Sequence, residues 1–193
     1  MYHKLATSLT SYFIGKTGEK RDDFEILVYG AELFLSSVVN TIFVLVIGFV
    51  FGCLLEALLF LAFFCPLRKY SGGFHASTYW SCSLIFCLYF ALICYFVGDI
   101  PFVWRLIIAV FDVIVVLLLA PVEDPNKPIR GKRKEKIIVR TRITLVIEVV
   151  LFGAAQFLPV PGRWLGFITA AFATSAVLLI LGAIKNRMYK KKV

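Results

Sequence analysis

The sequence predicts an all-α integral membrane protein of about six transmembrane helices, with both termini cytoplasmic and an amino-terminal amphipathic segment at the membrane interface. Three observations predict it. Hydrophobic residues fill 60% of the 193 positions and the mean hydropathy is +0.87, far above the roughly 45–50% apolar content of soluble domains. Apolar runs near the roughly 20 residues needed to cross a hydrocarbon core recur along the whole length, so residues 1–193 read as a single membrane domain. Basic residues gather in alternate connections between those runs, as the positive-inside rule requires.

Residues 1–25 lack a continuous apolar core and a small-residue cleavage site, which argues against a removable signal peptide. Leu5, Leu9, Tyr12 and Phe13 share one helical face, and this fits either a segment lying on the membrane or a short helix packed on the rest of the protein. The run "LFLSSVVNTIFVLVIGFVFGCLLEALLFLAFFC" is too long for one crossing and cramped for two. Gly48 and Gly52 mark the turn between spans at about 26–50 and 52–67. Further spans fall at about 79–97, 101–122, 137–157 and 164–184.

Lys4, Lys16, Lys20 and Arg21 precede the first span, Arg68 and Lys69 follow the second, "KPIRGKRKEK" follows the fourth, and "KNRMYKKK" ends the chain. The opposite turns, "GFVFGC", "VGDIP" and "LPVPGR", carry almost no basic residues, so six crossings place all four basic clusters inside. The net charge of +9 is then explained by topology and by anionic membrane lipid. Aromatics are sparse among the basic segments and no nucleic-acid motif is read in the sequence, which argues against DNA or RNA as partner.

Cys53, Cys65, Cys82, Cys87 and Cys94 form no Cys-x-x-Cys, and those inside apolar runs, all but Cys82, read as small buried hydrophobes. His3 and His75 lie far apart, so neither a metal site nor a cofactor is expected.

One stretch does not fit a plain greasy helix: "RKYSGGFHASTYWSC", Arg68 to Cys82, at the predicted cytoplasmic surface. A cysteine acts as a nucleophile only as the thiolate, and an imidazole can take its proton for acyl transfer. In one uninterrupted helix His75 and Cys82 would share a face about 10.5 Å apart along the axis, too far for a hydrogen bond. The helix must therefore start after His75. Gly72 and Gly73 permit an unusual backbone there, and Ser77 or Thr78 can cap the new helix. The residues alone leave two readings open, a Cys/His dyad or an interfacial histidine beside a packing cysteine.

The stretch resembles the signature of the AgrB family, membrane cysteine endopeptidases that mature peptide pheromone precursors in Gram-positive bacteria. An Arg, a Gly-Gly pair two residues before His, and a Cys seven after it match by type and spacing. "APVEDPNKPI", Ala120 to Ile129, resembles the family's proline-rich loop after the fourth span. The resemblance implies Cys82 as nucleophile and His75 as general base, with Arg68, Gly72 and Gly73 as supporting residues. No third catalytic residue is named; Glu56, Asp99, Asp112, Glu123 and Asp124 qualify by charge only, and Asp99 and Glu56 fall on the wrong side.

The resemblance further implies an AgrD-like propeptide substrate with an acidic tail, a homodimer, and the plasma membrane of a Gram-positive bacterium with the site facing the cytoplasm. Lys127, Arg130, Lys132, Arg133, Lys134 and Lys136 can hold the acidic tail, or can simply fix topology. The competing reading is a non-enzymatic six-span transporter or peptide exporter, supported by Glu32, Asn40, Asp112, Arg140, Arg142 and Glu148 inside apolar runs. Arg140, Arg142 and Glu148 can instead pair within one helix or snorkel. A lipid-headgroup enzyme lacks the repeated Asp motif it would need.

Overall fold

The computed structural model describes residues 6–8, 10, 11, 24–74, 79–122 and 132–190. Among them are six long helices: α1 Phe24–Val50, α2 Leu54–Ser71, α3 Tyr79–Phe96, α4 Phe102–Leu119, α5 Lys132–Ala155 and α6 Gly162–Lys190. Each falls on one of the six apolar runs. Residues 6–8, 10 and 11 are helical; Leu5, Leu9, Tyr12 and Phe13, on which the interfacial segment depends, lie outside the described residues.

Three of these helices are long and apolar enough to cross a membrane, over Gly30–Val50, Phe102–Leu119 and Gly162–Met188, and Ser83–Phe96 is a shorter apolar helix. The other two are interrupted by charge: α2 carries Glu56, Arg68 and Lys69, and α5 carries Lys132–Lys136, Arg140, Arg142 and Glu148. Two boundaries differ from the apolar runs for the same reason. Lys, Arg and Glu are good helix formers, so α5 starts before the apolar stretch and α6 continues beyond it to Lys190. α2 runs through Pro66 to Ser71, four residues past the predicted span.

The long first apolar region divides where the glycines predict. Gly52 takes φ +65, its N–H donates to the Phe49 carbonyl at 3.1 Å, and Cys53 N–H donates to the Gly48 carbonyl at 2.7 Å. This pair of bonds is the Schellman motif, which satisfies the carbonyls at the end of α1 and reverses the chain. A Cβ on Gly48 would lie 2.6 Å from the Ala57 Cβ, so its absence lets α1 and α2 approach closely.

α6 is the central helix. Of its span 61% is buried, against 18% for the α1 span and 22% for the α4 span. α6 packs chiefly on α2 and α4, while α1 packs on α2 and α3 and α5 packs on α2. Phe60 and Phe64 of α2, Phe90 of α3 and Phe167 of α6 anchor one core cluster, with the Phe60 and Phe90 ring centroids 5.1 Å apart. Phe152 of α5 and Phe172 of α6 anchor another, 5.2 Å apart. Lipid tails are as apolar as these side chains, so close packing rather than water exclusion holds such helices together. The outward faces expose Phe34, Phe49, Leu88, Tyr95, Leu118 and Val150, as a lipid-facing surface would.

Candidate functional site

α2 ends at Ser71 because the next residue leaves helical space: Gly72 has φ +70 and ψ −144, and Gly73 follows at φ +125. Both conformations strain an L side chain. There is also no room for one. A Cβ on Gly72 would meet the Val122 carbonyl, and one on Gly73 would meet the Arg68 guanidinium and the Leu178 carbonyl.

Three elements hold this turn. From α2, Arg68 reaches forward: Nη1 donates to the Gly72 carbonyl and Nη2 donates to the Phe74 carbonyl, the latter at 2.6 Å. From the segment after α4, Val122 N–H donates to the Ser71 carbonyl at 2.9 Å, forming a parallel bridge between Gly72 and Val122. From α6, the Leu178 carbonyl accepts the Phe74 N–H at 2.8 Å, and the Lys185 ammonium lies 5.3 Å from the Phe74 ring centroid. A non-helical backbone between two helices leaves polar groups to satisfy, and these contacts satisfy them.

The structure thus brings Arg68, Gly72 and Gly73 into one interlocked unit whose last described residue, Phe74, directly precedes His75. His75 itself lies outside the described residues. The described helix resumes as α3 at Tyr79, and Cys82 is its fourth residue; the Cys82 side chain lies outside the described residues. That place in the first helical turn is where the dipole favours an anion. Of the predicted tail-binding residues, Lys127 and Arg130 lie outside the described residues, as do the side chains of Lys132 and Arg133. Lys134 and Lys136 are exposed on the first turns of α5.

A cleft of about 290 Å³ opens beside the turn, lined by Leu119, Pro121, Val122, Lys134, Asn186 and Arg187 among others. Val122 belongs both to this cleft and to the bridge with Gly72. Asn186 and Arg187 join Lys134 there, and the sequence pattern had marked "KNRMYKKK" as a topology signal alone. Leu178 and Gly182 were likewise missed, and Val122 was marked only as part of the proline-rich stretch. An interior glycine in an apolar helix was the available signal for Gly182.

Two sets of charged residues stand out. At the opposite end of the bundle, Arg163 lies 3.9 Å from Glu56 and Arg105 lies 3.9 Å from Asp99, so neither acid is near the glycine turn. Asp112 and Glu148 are buried, 0% and 4% exposed, with Ser175 beside Asp112 and the Leu67 backbone beside Glu148. Their carboxyl oxygens have no hydrogen-bond partner among the described residues. Of the two readings open for these charges, pairing of Glu148 with Arg140 or Arg142 on its own helix is not found among the described residues. Both arginines are exposed, and Arg140 lies 6.0 Å from the Tyr70 ring centroid. No group of three His, Cys, Asp or Glu among the described residues is placed to hold a metal ion.

A bundle with three membrane-length apolar helices, closed at one end by a glycine turn under an arginine fork, defines a helical membrane protein with its candidate site at a helix terminus. The family model for accessory gene regulator B matches residues 4–185. The chain belongs to the AgrB family. It is 36% identical over 137 residues to a Clostridium perfringens strain 13 protein named as AgrB-like, covering 66% of this chain and 64% of that protein. A second C. perfringens AgrB-like protein, from strain SM101, is 35% identical over 137 residues, so the match spans less than two thirds of these relatives' length, 64%. An AgrB-like protein of Listeria monocytogenes EGD-e is 27% identical over 184 residues, covering 93% of this chain and 83% of that one. No solved structure matches the chain.

Proposed function

We propose that the protein is a membrane cysteine endopeptidase that removes the carboxy-terminal tail of an AgrD-like quorum-sensing propeptide and cyclises the remainder. The observation that carries this reading is the interlocked turn: Arg68, Gly72 and Gly73, the residues carried over from the family signature as supporting ones, fix the backbone that leads into His75. Six crossings with both termini cytoplasmic, a cytoplasmic-side site in a Gram-positive plasma membrane, and a homodimer complete the proposal.

The Cys82 thiolate attacks the carbonyl of the peptide bond before the tail, after its proton has passed to His75. The C–N bond breaks, His75 delivers that proton to the leaving amine, and a thioester joins the substrate to Cys82. The substrate's own thiol then attacks the thioester, giving its proton to His75. A thiolactone closes, and Cys82 leaves as thiolate. A hydroxyl in place of the substrate thiol gives a lactone by the same path. Exchange of one thioester for another changes bond energy little, whereas water would release a linear acid irreversibly. The site must therefore limit water and preorganise the incoming thiol. Lys134, Lys136 and the rest of the basic loop, with Lys127, Arg130, Lys132 and Arg133, hold the acidic tail.

The test is cleavage of a tagged AgrD-like peptide by the purified protein in lipid, followed by mass. Wild type releases the tail and yields a product lighter by one water than the linear acid. Cys82→Ala abolishes release, and His75→Ala slows it by roughly 10²–10⁴-fold. Wild-type cleavage by both variants overturns the reading. The exporter alternative is favoured by one observation, the buried Asp112 and Glu148 carboxyls, because intramembrane acids commonly mark transport paths. It predicts peptide transport with no bond cleaved.

A further inference from the structure

Gly182 lies in the interior of α6, where glycine has no local reason to be: it weakens a helix relative to alanine and packs nothing itself. The reason is tertiary. A Cβ built on Gly182 would lie 2.7 Å from the carbonyl carbon of Gly73, 2.7 Å from the nitrogen of Phe74 and 3.0 Å from the Gly73 Cα. All three are backbone atoms of the turn, so no flexible side chain can move aside.

The same spot carries the hydrogen bond. In an α-helix the Leu178 carbonyl is the acceptor of the Gly182 N–H, and here it also accepts the Phe74 N–H at 2.8 Å. Phe74 can reach that carbonyl only because residue 182 has no side chain above it. One helical turn on, Lys185 stands over the Phe74 ring. α6 thus contacts the turn through a carbonyl, a bare Cα and a cation, all within Leu178–Lys185.

We infer that Gly182 is a positioning residue for the proposed Cys/His chemistry: with the Leu178 carbonyl it seats Gly73 and Phe74 on α6 and so anchors the backbone that continues into His75. The inference rests on the endopeptidase reading and adds a residue outside the family signature. Ordinary van der Waals contact begins near 3.4 Å, so an added methyl must push the turn back by about 0.7 Å. A displacement of about 1 Å at a reacting group costs on the order of 10²-fold in rate.

Two other glycines give matched controls. Gly153 in α5 has nothing within 4 Å of a built Cβ, and Gly166, about 24 Å away along α6, packs its missing Cβ against the Gly98 carbonyl more tightly still than Gly182 packs against the turn. Alanine is placed at each of the three positions in the full chain in lipid. Thermal midpoint, kcat and KM for peptide cleavage, and the pH profile of Cys82 alkylation, followed on the Cys82 peptide by mass, are measured for each.

Gly182→Ala is expected to lower kcat by tenfold or more with KM little changed, and to shift the alkylation profile toward that of an ordinary thiol. Gly166→Ala is expected to lower the thermal midpoint while retaining the wild-type kcat per folded molecule and the wild-type profile. Gly153→Ala is expected to hold or raise the thermal midpoint, since alanine favours a helix over glycine, and to leave kcat, KM and the alkylation profile unchanged. Equal effects of Gly166→Ala and Gly182→Ala on kcat and profile, with Cys82→Ala inactive, overturn the positioning role alone. Cleavage by Cys82→Ala overturns the endopeptidase reading itself, whatever Gly182→Ala does.

Discussion

Arg68 donates to two carbonyls two residues apart, those of Gly72 and Phe74. A planar guanidinium presents a fork of donors that can serve both at once, whereas an ammonium concentrates its charge at one point. Arg68→Lys should therefore keep the charge and lose one of the two bonds. A hydrogen bond to a charged group contributes about 1.5–3 kcal/mol, and cleavage should fall roughly 10–100-fold in kcat, with Arg68→Ala lower still. Wild-type turnover in Arg68→Lys, at an unchanged thermal midpoint, would show that charge alone suffices. Arg68, Gly72 and Gly73 were legible because their types and spacing are local to one stretch. Leu178 and Gly182 were not, since the contact of α6 with that stretch joins residues about a hundred positions apart. A carbonyl acceptor also leaves no mark on residue identity.

At the level of the helices, apolar runs gave the number of long elements, and the glycine at position 52 gave the sharpest boundary. The reason is physical: φ +65 disfavours an ordinary L residue, so glycine is the residue best suited to end α1 there. Gly52→Ala has open space for its methyl, so any loss comes from backbone strain, about 1–2 kcal/mol. A lower thermal midpoint with unchanged cleavage per folded molecule is expected, because this turn lies at the far end of α2 from Gly72. Gly48→Ala tests the other kind of glycine, the one required by the close approach of Ala57. Boundaries set by charged residues were less legible. The ends of α5 and α6 continue past their apolar stretches, where hydropathy falls but helix propensity does not.

Across the whole molecule, hydropathy along the chain does not mark the centre of the bundle. α6 looks like any other apolar run, and only the assembled structure makes it the helix against which α2 and α4 pack. The same assembly converts two isolated acids into a pair, Asp112 of α4 and Glu148 of α5, lying near α6 and α2. Two carboxyl groups buried side by side, with no cation paired to them among the described residues, cost stability through desolvation and mutual repulsion, and neutral amides of similar volume remove the charge. If the acids are a structural remnant in a peptidase, Asp112→Asn with Glu148→Gln should hold or raise the thermal midpoint in lipid and leave peptide cleavage at wild-type rate. If they form a cation path in an exporter, the double amide should lose transport. Its thermal midpoint should also stop responding to sodium, potassium or proton concentration where the wild type responds. A fall of several degrees with cleavage lost would place the pair within the peptidase machinery and overturn its assignment as a remnant.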